Sequence, residues 1–151
     1  MTSPTLSHQR IVVYLTTLLY TFVNKNKTGE IFCAPMDVEF DNRNIFQPDL
    51  LFIDRDNFDI MGKKRIKGAP DLTVEILSDS TSKYDLREKK QVYAKYGVKE
   101  YWIIDPEFKR FEVFNLEGDE YKLSFINKSD KPFQSLVLNG LEINFDELFS
   151  L

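Results

Sequence analysis

The sequence predicts an α/β fold, a mixed central sheet flanked by helices, and three observations carry that expectation. Apolar residues recur at helical spacing from Ser7 to Asn24. Short apolar runs bounded by Pro, Asp, Asn and Gly follow at strand length. A second helical stretch then ends at Gly97 and feeds into the aromatic, β-branched run that starts at Glu100. With 151 residues the chain makes one domain, 1–151, large enough to bury a core without a disulfide or metal staple.

Each element has a local reason. In the first helix Ile11, Leu15, Leu18, Leu19 and Phe22 share one face, Ser7 is the expected N-cap, and Lys25 to Gly29 closes it. Met36, Val38 and Phe40 alternate with Asp37, Glu39 and Asp41, the period of a half-buried strand, and Pro35 puts that strand at an edge or bulge. After the turn Asn42-Arg43-Asn44, Pro48-Asp49 introduces a strand from Leu50 to Asp54, and a polar loop runs from Arg55 to Gly68. A third strand, Leu72 to Leu77, sends Leu72, Val74 and Ile76 to one face and Thr73, Glu75 and Leu77 to the other. Ser78, Ser80, Thr81 and Ser82 offer N-caps for a helix reaching Tyr96, and Gly97 suits the left-handed position past its end. Strands follow at Glu100 to Asp105, Arg110 to Asn115 and Glu120 to Ile126, the last two joined through Glu117-Gly118-Asp119. A further C-terminal hairpin is expected from Ser135 to Leu138 and Leu141 to Phe145, around Asn139-Gly140, with a helical turn over Asp146 to Leu151.

Composition removes several function classes. A single Cys33 excludes a disulfide framework and a Cys-rich zinc site, and a reducing, cytoplasmic setting is the simplest expectation. The longest apolar-looking run, Ile11 to Val23, is shorter than the roughly 20 residues of a membrane helix and contains three Thr, so no membrane span is expected. No basic stretch followed by an apolar run and a cleavage site marks a secretory leader. The formal charge of −4 argues against nucleic acid only if it is taken whole. Between Met61 and Lys99 ten Lys/Arg face five acids, and Lys63, Lys64, Arg65 and Lys67 crowd into five positions. Phosphate contact is one reading of that run, and a solvated loop is the other.

Three residues break their local pattern. Glu75 puts a carboxylate inside an otherwise apolar strand, where it is costly unless paired or bound to a metal. Asp49 stands just before the apolar run Leu50 to Ile53. Lys89 lies on the inward stripe Leu86, Lys89, Tyr93, Tyr96, and Asp85, four residues earlier, can reach it. Two carboxylates on neighbouring strands with an inward lysine suit a hard divalent cation and a polarised water, the equipment for phosphodiester hydrolysis. Each residue also has an ordinary explanation: a turn for Asp49, a structural bridge for Glu75, snorkelling for Lys89.

The order of elements resembles the αβββαβ core of the PD-(D/E)XK nucleases. The text Gly68-Ala-Pro-Asp-Leu-Thr-Val-Glu-Ile-Leu-Ser78, then Ser80-Thr81, Asp85, Lys89, Tyr93 and Gly97-Val-Lys-Glu-Tyr-Trp-Ile-Ile-Asp-Pro106, is similar to the Uma-two family of restriction endonuclease-like proteins. Ser7-His8-Gln9 and Gln47-Pro-Asp-Leu50 match it too, so the resemblance runs from about Ser3 to Phe149. It implies a restriction endonuclease-like fold with added C-terminal hairpins, and catalysis by Asp49, Glu75 and Lys89. Leu77 occupies the place of the motif's lysine, which in this family has moved to the following helix, here Lys89. The implied metal set is Asp49, Glu75 and Ile76, holding Mg²⁺ or Mn²⁺. Asp71 is a secondary candidate, since Asp71 and Glu75 lie four residues apart on one strand, and Asp85 is another. The segment before the first helix is shorter than is usual in the family, so a first-helix acid is not expected; His8 and Gln9 occupy that region with no chemistry beyond an edge contact.

The reading is therefore an endonuclease acting on DNA, with phosphate contacts from Lys63 to Lys67. Its rival is a catalytically inactive module of the same fold that binds nucleic acid or assembles. The aromatic strands Tyr101-Trp102 and Phe111 to Phe114 have two readings, a homodimer surface, because cutting both strands takes two sites, or equally part of the core.

Overall fold

The structure is a computed structural model that describes residues 5–79 and 83–150. The strands form a six-stranded mixed sheet and a small three-stranded sheet. Helix α1 (Leu6–Asn26) leads into β1 (Gly29–Cys33), which pairs antiparallel with β4 (Leu50–Asp54). Between them β2 (Val38–Glu39) and β3 (Ile45–Phe46) start the small sheet, which β5 (Ile66–Lys67) completes after a 3₁₀ turn at Arg55–Ile60. Strand β6 (Leu72–Ile76) lies antiparallel to β4 and parallel to β7 (Glu100–Asp105), with α2 (Lys83–Tyr96) as the crossover between the parallel pair. Strands β8 (Arg110–Glu117) and β9 (Glu120–Ile126) form the final hairpin, and α3 (Phe145–Leu148) ends the fold.

The sheet separates two cores. Ile11, Leu15, Leu19 and Val23 of α1 pack with Val74, Ile76, Trp102 and the C-terminal residues Leu138 to Phe149 on one face. Removing each of those α1 side chains from water contributes about 2 kcal/mol. On the other face Leu51, Ile53 and Tyr101 meet Tyr93 of α2 and Val38, Phe40 and Ile66 of the small sheet. The alternation expected for β6 is thus what divides its residues: Leu72, Val74 and Ile76 enter the first core, while Glu75 turns toward α2.

Several expectations change. The N-cap of α1 is Thr5, whose Oγ1 accepts the His8 N–H at 3.1 Å; Ser7 is already inside the helix. The edge strand beside β4 is Gly29–Cys33, not the alternating run around Val38, which contributes two residues to the small sheet instead. The loop from Arg55 to Gly68 contains the 3₁₀ turn and β5. The C-terminal hairpin does not form: residues 135–144 contain no strand, because the buried carboxylate of Glu100 collects the N–H groups of Leu136 and Val137 and the Ser135 hydroxyl. Tyr101, Trp102 and Phe111 are fully buried and Phe114 nearly so, which makes these aromatics core and removes them as a dimer surface. Gly97 does adopt the left-handed conformation past α2, with φ 91°. The caps expected at Ser80, Thr81 and Ser82 lie outside the described residues, as does Leu151. Among the described residues no helix is long and apolar enough to cross a membrane.

Candidate active site

Strand β6 carries Glu75 into the space under α2, and α2 answers with two side chains one turn apart. Lys89 places Nζ 3.2 Å from Glu75 Oε1, and Tyr93 donates its hydroxyl to Oε2 at 2.6 Å. The Glu75 side chain is only 6% exposed, whereas that of Lys89 is 26% exposed, so the ammonium links the buried carboxylate to solvent. Burial pushes the Glu75 carboxyl up to about 7, and the charge of Asp49 pushes the same way; Lys89 and the Tyr93 hydroxyl oppose them. The Tyr93 hydroxyl is itself raised well above its ordinary value, by burial and then by the Glu75 charge, so it stays a donor.

Asp49 sits immediately before β4, at the end of the sheet. Its Oδ2 accepts the Ile76 N–H at 2.7 Å, and its Oδ1 lies 3.2 Å from His8 Nε2 on the first turn of α1. The β4–β6 register ends at Leu50↔Val74, and continuing it two residues sets Pro48 opposite Ile76. Along a strand the N–H and C=O of one residue point to the same side, so the Ile76 carbonyl is directed toward this edge, where proline offers no N–H to occupy it.

These residues fit a small hard cation. Among the described residues each of the four carboxylate oxygens of Asp49 and Glu75 has one partner, which leaves further lone pairs on each. Among the described residues no three His, Cys, Asp or Glu side chains gather closely enough to hold a metal on their own. A cation would therefore draw on two carboxylates, a main-chain oxygen and water, the kind of mixed oxygen set that Mg²⁺ accepts.

The chain matches, over residues 1–146, the family model described as "putative restriction endonuclease". It belongs to the Uma-two family. The crystal structure of a protein from Anabaena variabilis, described as a putative nuclease, matches with a TM-score of 0.80 at 20% identity, covering 99% of this chain and 83% of that one. At that identity the likeness establishes the shared fold alone. No curated protein matches the chain.

In this Uma-two chain the structure brings Asp49, Glu75, Ile76 and Lys89 to one end of β6 and leaves the other expected positions elsewhere. Asp71 is at the opposite end, where Oδ2 accepts the Asp54 N–H at 2.8 Å and Asn57 Nδ2 at 3.2 Å, and Lys99 Nζ lies 3.4 Å from Oδ1. Asp85 is exposed on the first turn of α2. In the basic run Arg65 braces the small sheet, 3.4 Å from Glu39 and 3.8 Å from Asp37, while Lys63, Lys64 and Lys67 stand in solvent. Two members of the constellation were missed by sequence reasoning. Tyr93 had a signal, since it follows Lys89 by four residues on the inward stripe and carries a hydroxyl. His8 had a weaker one, as the polar member of the otherwise aliphatic buried stripe His8, Ile11, Leu15, Leu19, Val23.

Proposed function

We propose that this chain is a divalent-cation-dependent endonuclease that hydrolyses DNA phosphodiester bonds, with Asp49, Glu75 and Lys89 as catalytic residues. Family membership supports nuclease activity, and the observation that carries the assignment is the convergence of Lys89, Glu75 and Asp49 at one sheet end. Asp49, Glu75 and the Ile76 carbonyl would hold Mg²⁺ or Mn²⁺, which supplies Lewis-acid stabilisation of charge on the phosphodiester. The Lys89 ammonium, partly exposed and anchored on Glu75, orients the attacking water and balances charge on the phosphoryl oxygens. The Tyr93 hydroxyl fixes Glu75 Oε2 so that this carboxylate does not rotate when Lys89 shifts toward substrate. The exposed Lys63, Lys64 and Lys67 supply phosphate contacts. Cutting both strands takes two copies, so a homodimer belongs to the proposal, built on a surface other than the aromatic strands. A cytoplasmic setting suits the free, exposed Cys33.

One observation favours a second reading, an inactive binding module. Both oxygens of Glu75 are engaged by Lys89 and Tyr93, as in a structural bridge. Supercoiled plasmid, single-stranded DNA and RNA incubated with Mg²⁺, Mn²⁺ or EDTA separate the two. Metal-dependent nicking by wild type that disappears in folded Glu75→Ala and Lys89→Ala supports the nuclease. Salt-sensitive DNA binding without cleavage under any metal supports the module.

A further inference from the structure

His8 occupies a place that an aliphatic residue would fill better for stability alone. It continues the buried stripe of α1, with the residue 9% exposed, and its Nδ1 is buried with no hydrogen-bond partner among the described residues. An ionised Asp49 carboxylate can only accept, so the contact to Oδ1 is made by His8 Nε2 as donor, and in the neutral ring Nδ1 is then a bare acceptor. A leucine here would leave no such orphan. The first turn of α1 is also rigidly placed, because Thr5 Oγ1 accepts the His8 N–H and Ile11 and Leu15 seat the helix on the sheet. Two separate elements thus grip Asp49: α1 through Oδ1 and β6 through Oδ2.

We infer that His8 is a positioning residue, which holds the Asp49 carboxylate in the orientation that binds the catalytic cation. This rests on the reading of Asp49 as a metal ligand. His8 is not a ligand itself: its Nε2 carries the proton it gives to Asp49 and so has no lone pair for a cation, and its Nδ1 is buried. It acts one shell out, where loss of a partner that orients a ligand weakens metal binding by about 10- to 100-fold.

The test is Mn²⁺ affinity of the full chain, read from the electron paramagnetic resonance signal of the free aquo ion. It compares wild type, Asp49→Asn, His8→Leu, His8→Gln and His8→Asn. Leu fills the stripe without a donor, Gln places an amide donor at the reach of Nε2, and Asn falls short of it. The expected result is Mn²⁺ bound about 10- to 100-fold more weakly by His8→Leu and His8→Asn, with His8→Gln close to wild type and thermal melting of His8→Leu undiminished. Wild-type affinity in a folded His8→Leu overturns the inference. Should His8→Leu fail to fold, equal affinity of His8→Asn and His8→Gln overturns it as well. Wild type that binds no Mn²⁺, or an Asp49→Asn variant that binds it undiminished, overturns the metal site itself and the inference with it.

Discussion

Glu75 and Glu100 are buried glutamates on the neighbouring strands β6 and β7, and their surroundings are opposite in kind. Glu100 is wholly inaccessible and ringed by neutral donors fixed in the fold: Trp102 Nε1 at 2.5 Å, Ser135 Oγ at 3.0 Å, and the N–H groups of Leu136 and Val137 at 2.7 and 3.0 Å. Those donors lower its carboxyl but do not overcome the rise caused by burial. Glu75 has a lysine that reaches solvent, a tyrosine, and a second carboxylate close enough to disfavour its charge. A carboxylate saturated by neutral donors fixed in the fold staples a chain segment; one held by a partly exposed cation beside another carboxylate is equipped to exchange partners.

The sharpest way to break this comparison is to remove the charge at each place. Glu75→Ala and Asp49→Ala should lower nicking by about 10³-fold or more while the protein stays folded, which circular dichroism and a plasmid assay check together. Glu100→Ala should do the reverse. It orphans the Trp102, Leu136 and Val137 donors and should cost about 3–5 kcal/mol in urea unfolding, with the folded fraction cutting at the wild-type rate.

The pH dependence sharpens it further. Folded Glu75 keeps its proton up to about 7, while the unfolded group releases it near 4.5. Between those values the native state binds more protons, so this group's contribution to stability falls as pH rises through the window, by up to about 3 kcal/mol, and levels off above it. Unfolding midpoints at pH 5 and pH 8 should show this loss in wild type and much less of it in Glu75→Gln; equal slopes would mean Glu75 is not the titrating group. The smallest effect belongs to Asp71. Its lysine partner is 63% exposed and contributes little, so Asp71→Asn should cost about 1–2 kcal/mol through the Asp54 and Asn57 contacts and leave nicking unchanged.

The parts legible in the sequence are those whose reason is local. Strands Leu50–Asp54 and Glu100–Asp105 have the expected bounds, because apolar and β-branched runs bracketed by Pro-Asp and Asp-Pro leave little freedom. Glu75 and Lys89 were visible as charges on apolar stripes, and the structure pairs them. Strand β1 was not visible, since an edge strand with the mixed exposure of Gly29–Cys33 shows no clean alternation. The region from Ser135 to Phe145 reads as a hairpin by its Asn-Gly pair, but its donors are claimed by Glu100, 35 residues or more away along the chain. His8 meets Asp49 across 41 positions for the same kind of reason: only the packing of α1 on the sheet brings the first turn to the start of β4.

Crystals grown with Mn²⁺ and measured at the manganese absorption edge test the central claim most directly. An anomalous peak within coordination distance of Asp49, Glu75 and the Ile76 carbonyl, absent in Glu75→Gln crystals, is the expected result. A peak among Asp54 and Asp71 at the far end of β6, or none at Glu75 at saturating Mn²⁺, would contradict it.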